Sequence, residues 1–534
     1  MAVAEWTDKL LAEFGYEGWR PGQREAVDAA LSGRDSLVVM PTGGGKSLCY
    51  QLPGLASPDL TIVVSPLIAL MRDQCKRLAE QGYPVARVSS GMGSEEVDET
   101  LGRVSRGIRI VFCAPERFWS EAFLKALSAR KVDLLAIDEA HCISEWGHEF
   151  RPDYLRLGAF AERLGRPPIQ ALTATASPSV RRAIVERLGM EDPAVIVRGF
   201  DRPNLHLAVR RFSKESAKRQ ALVEAVRESE KPGIVYVGTR RTSEELAVAL
   251  RRVGVRSEAY HAGLGTQRRS ELQDRFMRDG IDAIVATTAF GMGIDKPNVR
   301  FVFYAGLADS VDAYYQGIGR AGRDGEPATA RIFYSPQDQT SRRHLNPADA
   351  RVLTQVGEAV AEREATSPNE LVRDLRLPRH KVLEAVGRLE EAGWLEISEE
   401  RGILHCQGAP SLIAAIEQGR TVGEKRKGYE LSRVEMMRSY TEHTSCRRSF
   451  ILGYFGEEHE PPCGNCDNCD AGLVGEASKA VRPFSVGAAV AHSTWGSGEV
   501  QRYDGNRIVA LFDSVGYRTL DLQVVVEKEL LRSI

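Results

Sequence analysis

The stretch Met40-Pro41-Thr42-Gly43-Gly44-Gly45-Lys46-Ser47 limits the possible folds of this chain more than any other. An apolar run, Ser36 to Val39, precedes it, and a helical pattern follows. Glycines let backbone N–H groups curl around a phosphate, and the next helix N-terminus adds positive potential. Lys46 then reaches the β- and γ-phosphates, and the Ser47 hydroxyl holds Mg²⁺. The strict pattern has Gly at position 40, where this chain has Met. The Gly-Lys-Ser end and the strand–loop–helix context outweigh that departure. A strand feeding such a loop belongs to a parallel sheet covered by helices on both faces.

Similar apolar runs recur on both sides of position 200. Leu60 to Val64, Ile108 to Phe112 and Leu134 to Ile137 lie before it. Gly233 to Val237, Ala283 to Ala286 and Arg300 to Tyr304 lie after it. Amphipathic stretches separate them, which is the signature of repeated βαβ units. A chain of 534 residues is long enough for several domains. The expected order is two α/β domains, 1–200 and 201–342, then three smaller units. Residues 343–408 end in a helical pattern, a Gly stop and a short strand, read either as a winged-helix-like fold or as a helical connector. Residues 409–472 carry a charged helical run into a cysteine cluster. Residues 480–534 hold short strands between Gly and Asp turns, the pattern of a small SH3- or Tudor-like barrel.

Composition narrows the function. Hydrophobic residues make 43% and charged residues 27%, and net charge is -2. A globally basic nucleic-acid binder is excluded, whereas a local basic groove is not. The apolar stretch Leu60 to Met71 is far shorter than the about 20 residues a membrane span needs. Glu5 and Asp8 stand where a secretory signal is basic and then apolar, so the expected location is the cytoplasm, or the nucleoid within it.

Further constellations carry chemistry. Asp138-Glu139-Ala140-His141 follows the run Leu134 to Ile137. A carboxylate at that strand end can anchor Mg²⁺ across from the phosphate loop, and Glu139 is placed to orient or deprotonate a water. Thr173-Ala174-Thr175 is either a link from this site to the rest of the molecule or a hydroxyl-rich strand end. Arg320 and Arg323, three apart among glycines, fall on one helical face. If the two α/β domains close on a nucleotide, they stabilise charge on its γ-phosphate. Cys446, Cys463, Cys466 and Cys469 give C-x16-C-x2-C-x2-C. Such spacing closes a tetrahedral Zn²⁺ site, with an iron–sulfur cluster as the alternative. Arg447 and Arg448 either touch DNA phosphates or face water.

These blocks together resemble the RecQ family of superfamily 2 helicases. The specific residues are Phe14-Gly15-Tyr16, Arg20-Pro21-Gly22-Gln23 and the segment Cys142 to Pro152, which holds Trp146, His148, Phe150 and Arg151. The resemblance implies two tandem RecA-like motor domains and a cleft for ATP and Mg²⁺, with Tyr16, Arg20 and Gln23 on the adenine and residues 42–47 on the phosphates. It makes Cys142 to Pro152 an aromatic-rich loop coupling DNA to hydrolysis; Trp146 and Phe150 offer faces where bases stack at about 1–3 kcal/mol each. It implies contacts to single-stranded DNA from Ser65 to Leu67, Arg72 to Gln74, Thr239, Arg240, His261 and Thr287. It implies 3′ to 5′ movement, strand separation at duplex or forked DNA, and a role in recombination and repair. An RNA helicase, or a tethered ATP-hydrolysing remodeller, is the alternative function.

Three departures from the family stand out. The family usually has Glu where this chain has Gly317. Its winged helix usually follows the zinc module, and here the corresponding segment precedes it. The tail around Val490 to Gly498 resembles the Tudor-like tail of some superfamily 1 helicases, which implies a surface for a protein or nucleic-acid partner.

Overall fold

The computed structural model describes residues 3–41, 43–89, 92–144, 151–291, 296–338, 350–398, 402–406, 408–474 and 482–534. Two all-parallel sheets form the α/β half, as expected. The first takes the order β3-β4-β2-β5-β6-β1-β7, with β1 Ser36–Val39, β2 Leu60–Val64, β3 Val85–Val88, β4 Ile110–Cys113, β5 Val132–Ile137, β6 Ile169–Thr173 and β7 Ala194–Val197. The second takes the order β10-β11-β9-β12-β13-β8, with β8 Leu205–Arg211, β9 Gly233–Tyr236, β10 Ser257–Tyr260, β11 Ala283–Ala286, β12 Phe301–Tyr304 and β13 Ala328–Tyr334. β1, β2, β4, β9, β11 and β12 are buried along their whole length. Helices on both faces leave them no wet side, which is why they read as continuous apolar runs. Loops at the carboxyl ends of such strands are where ligands bind in open α/β sheets.

Three helices, Ala350–Ala361, Pro368–Leu375 and Arg379–Glu391, precede a hairpin of β14 Leu395–Ser398 and β15 Gly402–His405. Ser367 and Glu370 form a capping box that starts the middle helix. Thr366 bridges to Ile403 on the hairpin. Helices followed by a two-stranded wing are the winged-helix arrangement, not a plain connector.

The helix Leu412–Glu442 then leads to the shorter helix Arg447–Tyr454 and to a single turn at Asp467–Asp470. The tail is a five-stranded antiparallel sheet, order β19-β18-β17-β16-β20, with β16 Ala489–His492, β17 Gly496–Asp504, β18 Arg507–Phe512, β19 Gly516–Asp521 and β20 Leu531–Ser533. Val490, Val500, Ile508, Ala510 and Phe512 fill its core. No helix among the described residues is long and apolar enough to cross a membrane.

The C-terminal half touches both α/β domains. Arg181 donates to the Phe455 carbonyl, and Arg182 pairs with Glu499 of β17. On the other side, Arg433 of the long helix donates to Ser310 Oγ at 2.7 Å and reaches Asp312 Oδ2 at 3.3 Å. Tyr454 donates to the same carboxylate at 2.5 Å, and Tyr517 of β19 donates its N–H to Ser432 Oγ at 3.0 Å. Burial opposes charge on Arg433, and Asp312, with the neighbouring tyrosines, pulls its pKa back up. Removing one partner of a buried pair leaves the other uncompensated, at about 3–5 kcal/mol. Arg433→Ala is therefore expected to lose stability of that order in denaturant unfolding. The doubly neutral Asp312→Asn/Arg433→Met chain should lose less.

Candidate active site and metal centre

The loop after β1 owes its shape to glycine. Gly43 and Gly45 hold φ of 83° and 81°, where a Cβ is strained. A Cβ on Gly45 would also stand 2.2 Å from Gln23 Nε2. Gln23 donates to the carbonyls of Gly44 and Gly45 at 3.3 and 3.1 Å, and Arg20 donates to the Gly43 carbonyl. Both side chains thus brace the phosphate loop. Tyr16 is 42% exposed. Lys46 folds back, its Nζ donating to the carbonyls of Met40 and Pro41 at 3.2 and 3.4 Å. Burial pulls its pKa down, partly countered by Glu139 and Asp138. Ser47 Oγ accepts from Gln74 Nε2 at 3.1 Å, and Gln74 accepts from Tyr50 at 2.8 Å. Gln74 therefore faces the loop, not a DNA track. Thr42 lies outside the described residues.

Asp138 directly follows β5, its N–H bonded to the Val64 carbonyl at 2.8 Å. Its carboxyl is pushed up to about 7, first by burial and then by Glu139. Glu139 sits at φ 50°, and burial raises its pKa against the pull of Lys46, Arg320 and Arg151. Its Oε2 is buried with no hydrogen-bond partner among the described residues. His141 Nδ1 lies 3.3 Å from that oxygen and 2.9 Å from Thr173 Oγ1. Burial drops His141 to about 3, so it is neutral near pH 7 and its contact with Glu139 is not an ion pair. Thr173 thereby touches the Asp-Glu-Ala-His segment, the linking alternative raised by the sequence.

The second α/β domain supplies the arginines. Arg320 is 6% exposed; its Nε donates to the Gly291 carbonyl at 3.2 Å and Nη1 to the Gln316 carbonyl at 2.7 Å. Arg323 Nε donates to the Gly319 carbonyl at 3.3 Å. A Cβ placed on Gly43 would lie 3.7 Å from Arg323 Cδ, so this side chain crosses the cleft to the phosphate loop. Two residues the sequence reading passed over hold the arginine segment. Arg202 donates to the carbonyls of Ala321 and Gly322 at 2.8 and 2.9 Å, and Asn204 to Gly322 at 2.8 Å. Their only signal was the Pro between them, which marked a domain boundary.

Cys446 caps one helix, Cys466 caps the Asp467–Asp470 turn, Cys469 sits within that turn and Cys463 precedes it. Their four sulfurs lie within 4.8 Å of one another. Cys463 and Cys469 stand 3.8 Å apart, close to the roughly 3.8 Å edge of a tetrahedron with Zn–S bonds of about 2.3 Å. Arg447 and Arg448 neither face water nor await DNA. Arg447 Nε donates to Asp467 Oδ1 at 2.9 Å; Arg448 donates to Asp201 Oδ1 at 2.9 Å and to the Leu205 carbonyl at 2.8 Å. Arg448 is a strut tying the cysteine module to the second domain, and Arg447 braces Asp467, which itself accepts from the Val209 N–H of that domain at 2.8 Å.

Three family models match the chain. The DEAD/DEAH box helicase model covers residues 20–183, the helicase conserved C-terminal domain 217–325, and the RecQ zinc-binding model 411–470, which spans all four cysteines. The probable ATP-dependent DNA helicase RecS of Bacillus subtilis is 33% identical over 483 residues, 87% of this chain and 93% of that protein. The chain belongs to the RecQ family. The ATP-dependent DNA helicase RecQ of Pasteurella multocida is 36% identical over 463 residues, 86% of this chain. This RecQ-family chain spans 62% of the length of that relative and of its Haemophilus influenzae counterpart. Among solved structures, the DEAD-box helicase Mss116 bound to ssRNA gives a TM-score of 0.53 at 16% identity, covering 72% of this chain and 88% of that one. The DUF1998 helicase MrfA bound to DNA gives 0.52 at 18%, covering 77% and 60%. Both show the two-motor fold.

The remaining expected residues of this RecQ-family chain are placed unevenly. Trp146, His148 and Phe150 lie outside the described residues. Arg151, half-buried, acts electrostatically on Glu139. Thr239 caps the helix Arg240–Arg252, accepting from the Thr242 N–H, and it and Arg240 are exposed. Thr287 is half-exposed. His261 is 5% exposed and pairs with Glu244 at 3.0 Å, which leaves it little surface for a strand. The winged-helix segment packs on the short helix Pro152–Arg156: Arg379 reaches Asp153 at 3.2 Å and Arg156 donates to the Ile397 carbonyl at 2.9 Å. A cation at the start of its third helix is thereby engaged within the chain.

Proposed function

We propose that this chain is an ATP-dependent DNA helicase that moves 3′ to 5′ on single strands and separates duplexes during recombination and repair. The observation that carries the reading is Arg323 lying against Gly43: a cleft completed by both motors lets nucleotide set their spacing. In this reading ATP sits with Thr42, Gly43, Gly44 and Gly45 around its phosphates. Tyr16, Arg20 and Gln23 take the adenine, the latter two exchanging their bonds to the loop for bonds to the base. Lys46 releases two carbonyls to meet the β- and γ-phosphates. Glu139, its Oε2 unpaired, orients the attacking water. Arg320 and Arg323 meet charge on the γ-phosphate.

The site fits Mg²⁺. Ser47 and a buried Asp138 offer two hard oxygen ligands, and Mg²⁺ favours carboxylate, water and phosphate oxygens. Bound there, the ion would neutralise charge between the phosphates. The raised pKa of Asp138 gives the binding a pH dependence. Without the ion the folded state favours the protonated form. That contribution to stability is full below the ordinary carboxylate range and is lost as pH rises through about 7. The ion needs the ionised form and expels the proton. Mg²⁺–nucleotide affinity is therefore expected to weaken below about pH 7 and level off above it. Calorimetry in buffers of different ionisation enthalpy should show proton release at about pH 6 and almost none at about pH 8.

Single-stranded DNA runs across both motors past Trp146, His148, Phe150 and Arg151, then Thr239, Arg240, His261 and Thr287. The units read as 1–200 and 201–342 for the motors, 343–408 for the winged helix, 409–472 for the zinc module and 480–534 for a barrel that takes a protein partner. The protein works on DNA in the cytoplasm, at the nucleoid. The test is unwinding of matched 3′-tailed and 5′-tailed duplexes of DNA and RNA, with Lys46→Ala as the inactive control. Unwinding only of 3′-tailed DNA supports the reading. DNA-stimulated hydrolysis without unwinding replaces it with a tethered remodeller.

A further inference from the structure

We propose that Tyr304 is a positioning residue for Arg320, and that the absence of a side chain at Gly317 is what admits it. The inference rests on the role of Arg320 proposed above.

Gly317 lies near the end of the helix Val311–Ile318, three residues before Arg320. A Cβ there would stand 1.8 Å from the Tyr304 hydroxyl oxygen, and 3.0 Å from Cζ of the ring. No side chain fits at 317 while Tyr304 keeps its place. Tyr304 ends β12, and its hydroxyl points at the Ala313 carbonyl at 3.4 Å. Its ring lies 4.9 Å from that of Tyr236 at the end of β9. Tyr236 donates to the Phe290 carbonyl at 2.8 Å, and the Arg320 guanidinium lies 6.0 Å from its ring centroid. The order is thus a glycine, a tyrosine wedged on it, a second tyrosine, and the arginine.

The other bonds to Arg320 come from the same neighbourhood. It donates to the carbonyl of Gly291, next to Phe290, and to that of Gln316, next to Gly317. Among the described residues, Arg320 is held in direction by these two carbonyls and by the aromatic platform, and from there it pulls electrostatically on Glu139. Tyr236, Tyr304, Gly317 and Arg320 also line one cavity of about 610 Å³. A displaced Tyr304 has room to swing without breaking the core. Adding a methyl group at 317 should accordingly misplace Arg320 and leave the fold standing.

The test is DNA-stimulated ATP hydrolysis by the full chain and its Gly317→Ala, Tyr304→Phe and Gly317→Ala/Tyr304→Phe variants. A misplacement of about 1 Å costs about 10²-fold, so Gly317→Ala is expected to lower kcat by about 10- to 100-fold, with KM for ATP and the melting temperature little changed. Tyr304→Phe removes the obstructing oxygen and keeps the ring. It should be nearly silent alone and should restore most of the kcat lost by Gly317→Ala. An unchanged kcat in Gly317→Ala overturns the proposal, as does a loss that Tyr304→Phe fails to relieve. A crystal structure of the Gly317→Ala chain gives a readout independent of turnover. Arg320 should have left the carbonyls of Gly291 and Gln316, and an unmoved Arg320 overturns the proposal. A wild-type chain that hydrolyses no ATP defeats the function proposed above, while the displaced arginine in that crystal structure still decides this inference.

Discussion

Cys466→Ser is expected to yield a chain that holds no zinc and does not fold its C-terminal half. The metal closes a site whose ligands come from a helix cap, a loop and a single turn. In isolated zinc peptides the binding free energy, about 10–16 kcal/mol, is folding free energy. The damage will not stay local. The Asp467–Asp470 turn carries the carboxylate that receives Arg447 and the Val209 N–H of β8. Its loss therefore strips the edge strand of the second motor. Elemental analysis together with melting of the purified variant checks this. A soluble variant without zinc that melts like wild type would falsify it.

The second large effect concerns Arg320. In the proposed mechanism Arg320→Ala keeps ATP binding, which the first motor supplies, and loses charge stabilisation worth about 10³ to 10⁵ in rate. Arg320→Lys should not rescue it. A point charge on a flexible stem cannot reproduce a planar guanidinium held by two carbonyls above an aromatic ring. Nucleotide affinity by fluorescence and turnover with saturating DNA separate the two parts of this expectation. Equal losses of affinity and turnover would instead make Arg320 a binding group.

The sequence showed most central strands of each sheet, though not Ile169–Thr173 or Ala328–Tyr334, and lost the margins, the latter for a physical reason. Central parallel strands such as Leu60–Val64 and Ala283–Ala286 are apolar throughout because helices cover both faces. Edge strands are half wet. Ser257–Tyr260 and Leu205–Arg211 mix polar and apolar residues, and both were passed over. Leu531–Ser533 is too short for any period to show. The candidate site divides the same way. The phosphate loop, the Asp-Glu pair and the four cysteines are local patterns and could be read directly. Arg447 and Arg448 were ambiguous because Asp467 and Asp201, which consume them, are set beside them only by folding. Gln74, assigned to a strand track by resemblance, turns to Ser47 for a like reason. The glycine at 317 was visible as a departure, but its cause, Tyr304, is an apolar strand's last residue and carries no signal.

The struts from the C-terminal half to both motors have a mechanical consequence. Arg182–Glu499 and Arg181–Phe455 hold it to the first motor, and the buried Arg433–Asp312 pair holds it to the second. Any stroke that parts the motors must slip one of these moorings. The first includes an arginine whose side chain is 52% exposed, the kind of pair worth at most about 1 kcal/mol; the second is sealed from solvent. If the motors part as in the proposed mechanism, the weaker mooring would give way first, and the tail would then travel with the second motor as ballast. Added salt loosens only the exposed mooring, so the length of the stroke, and not its driving chemistry, is what ionic strength would tune.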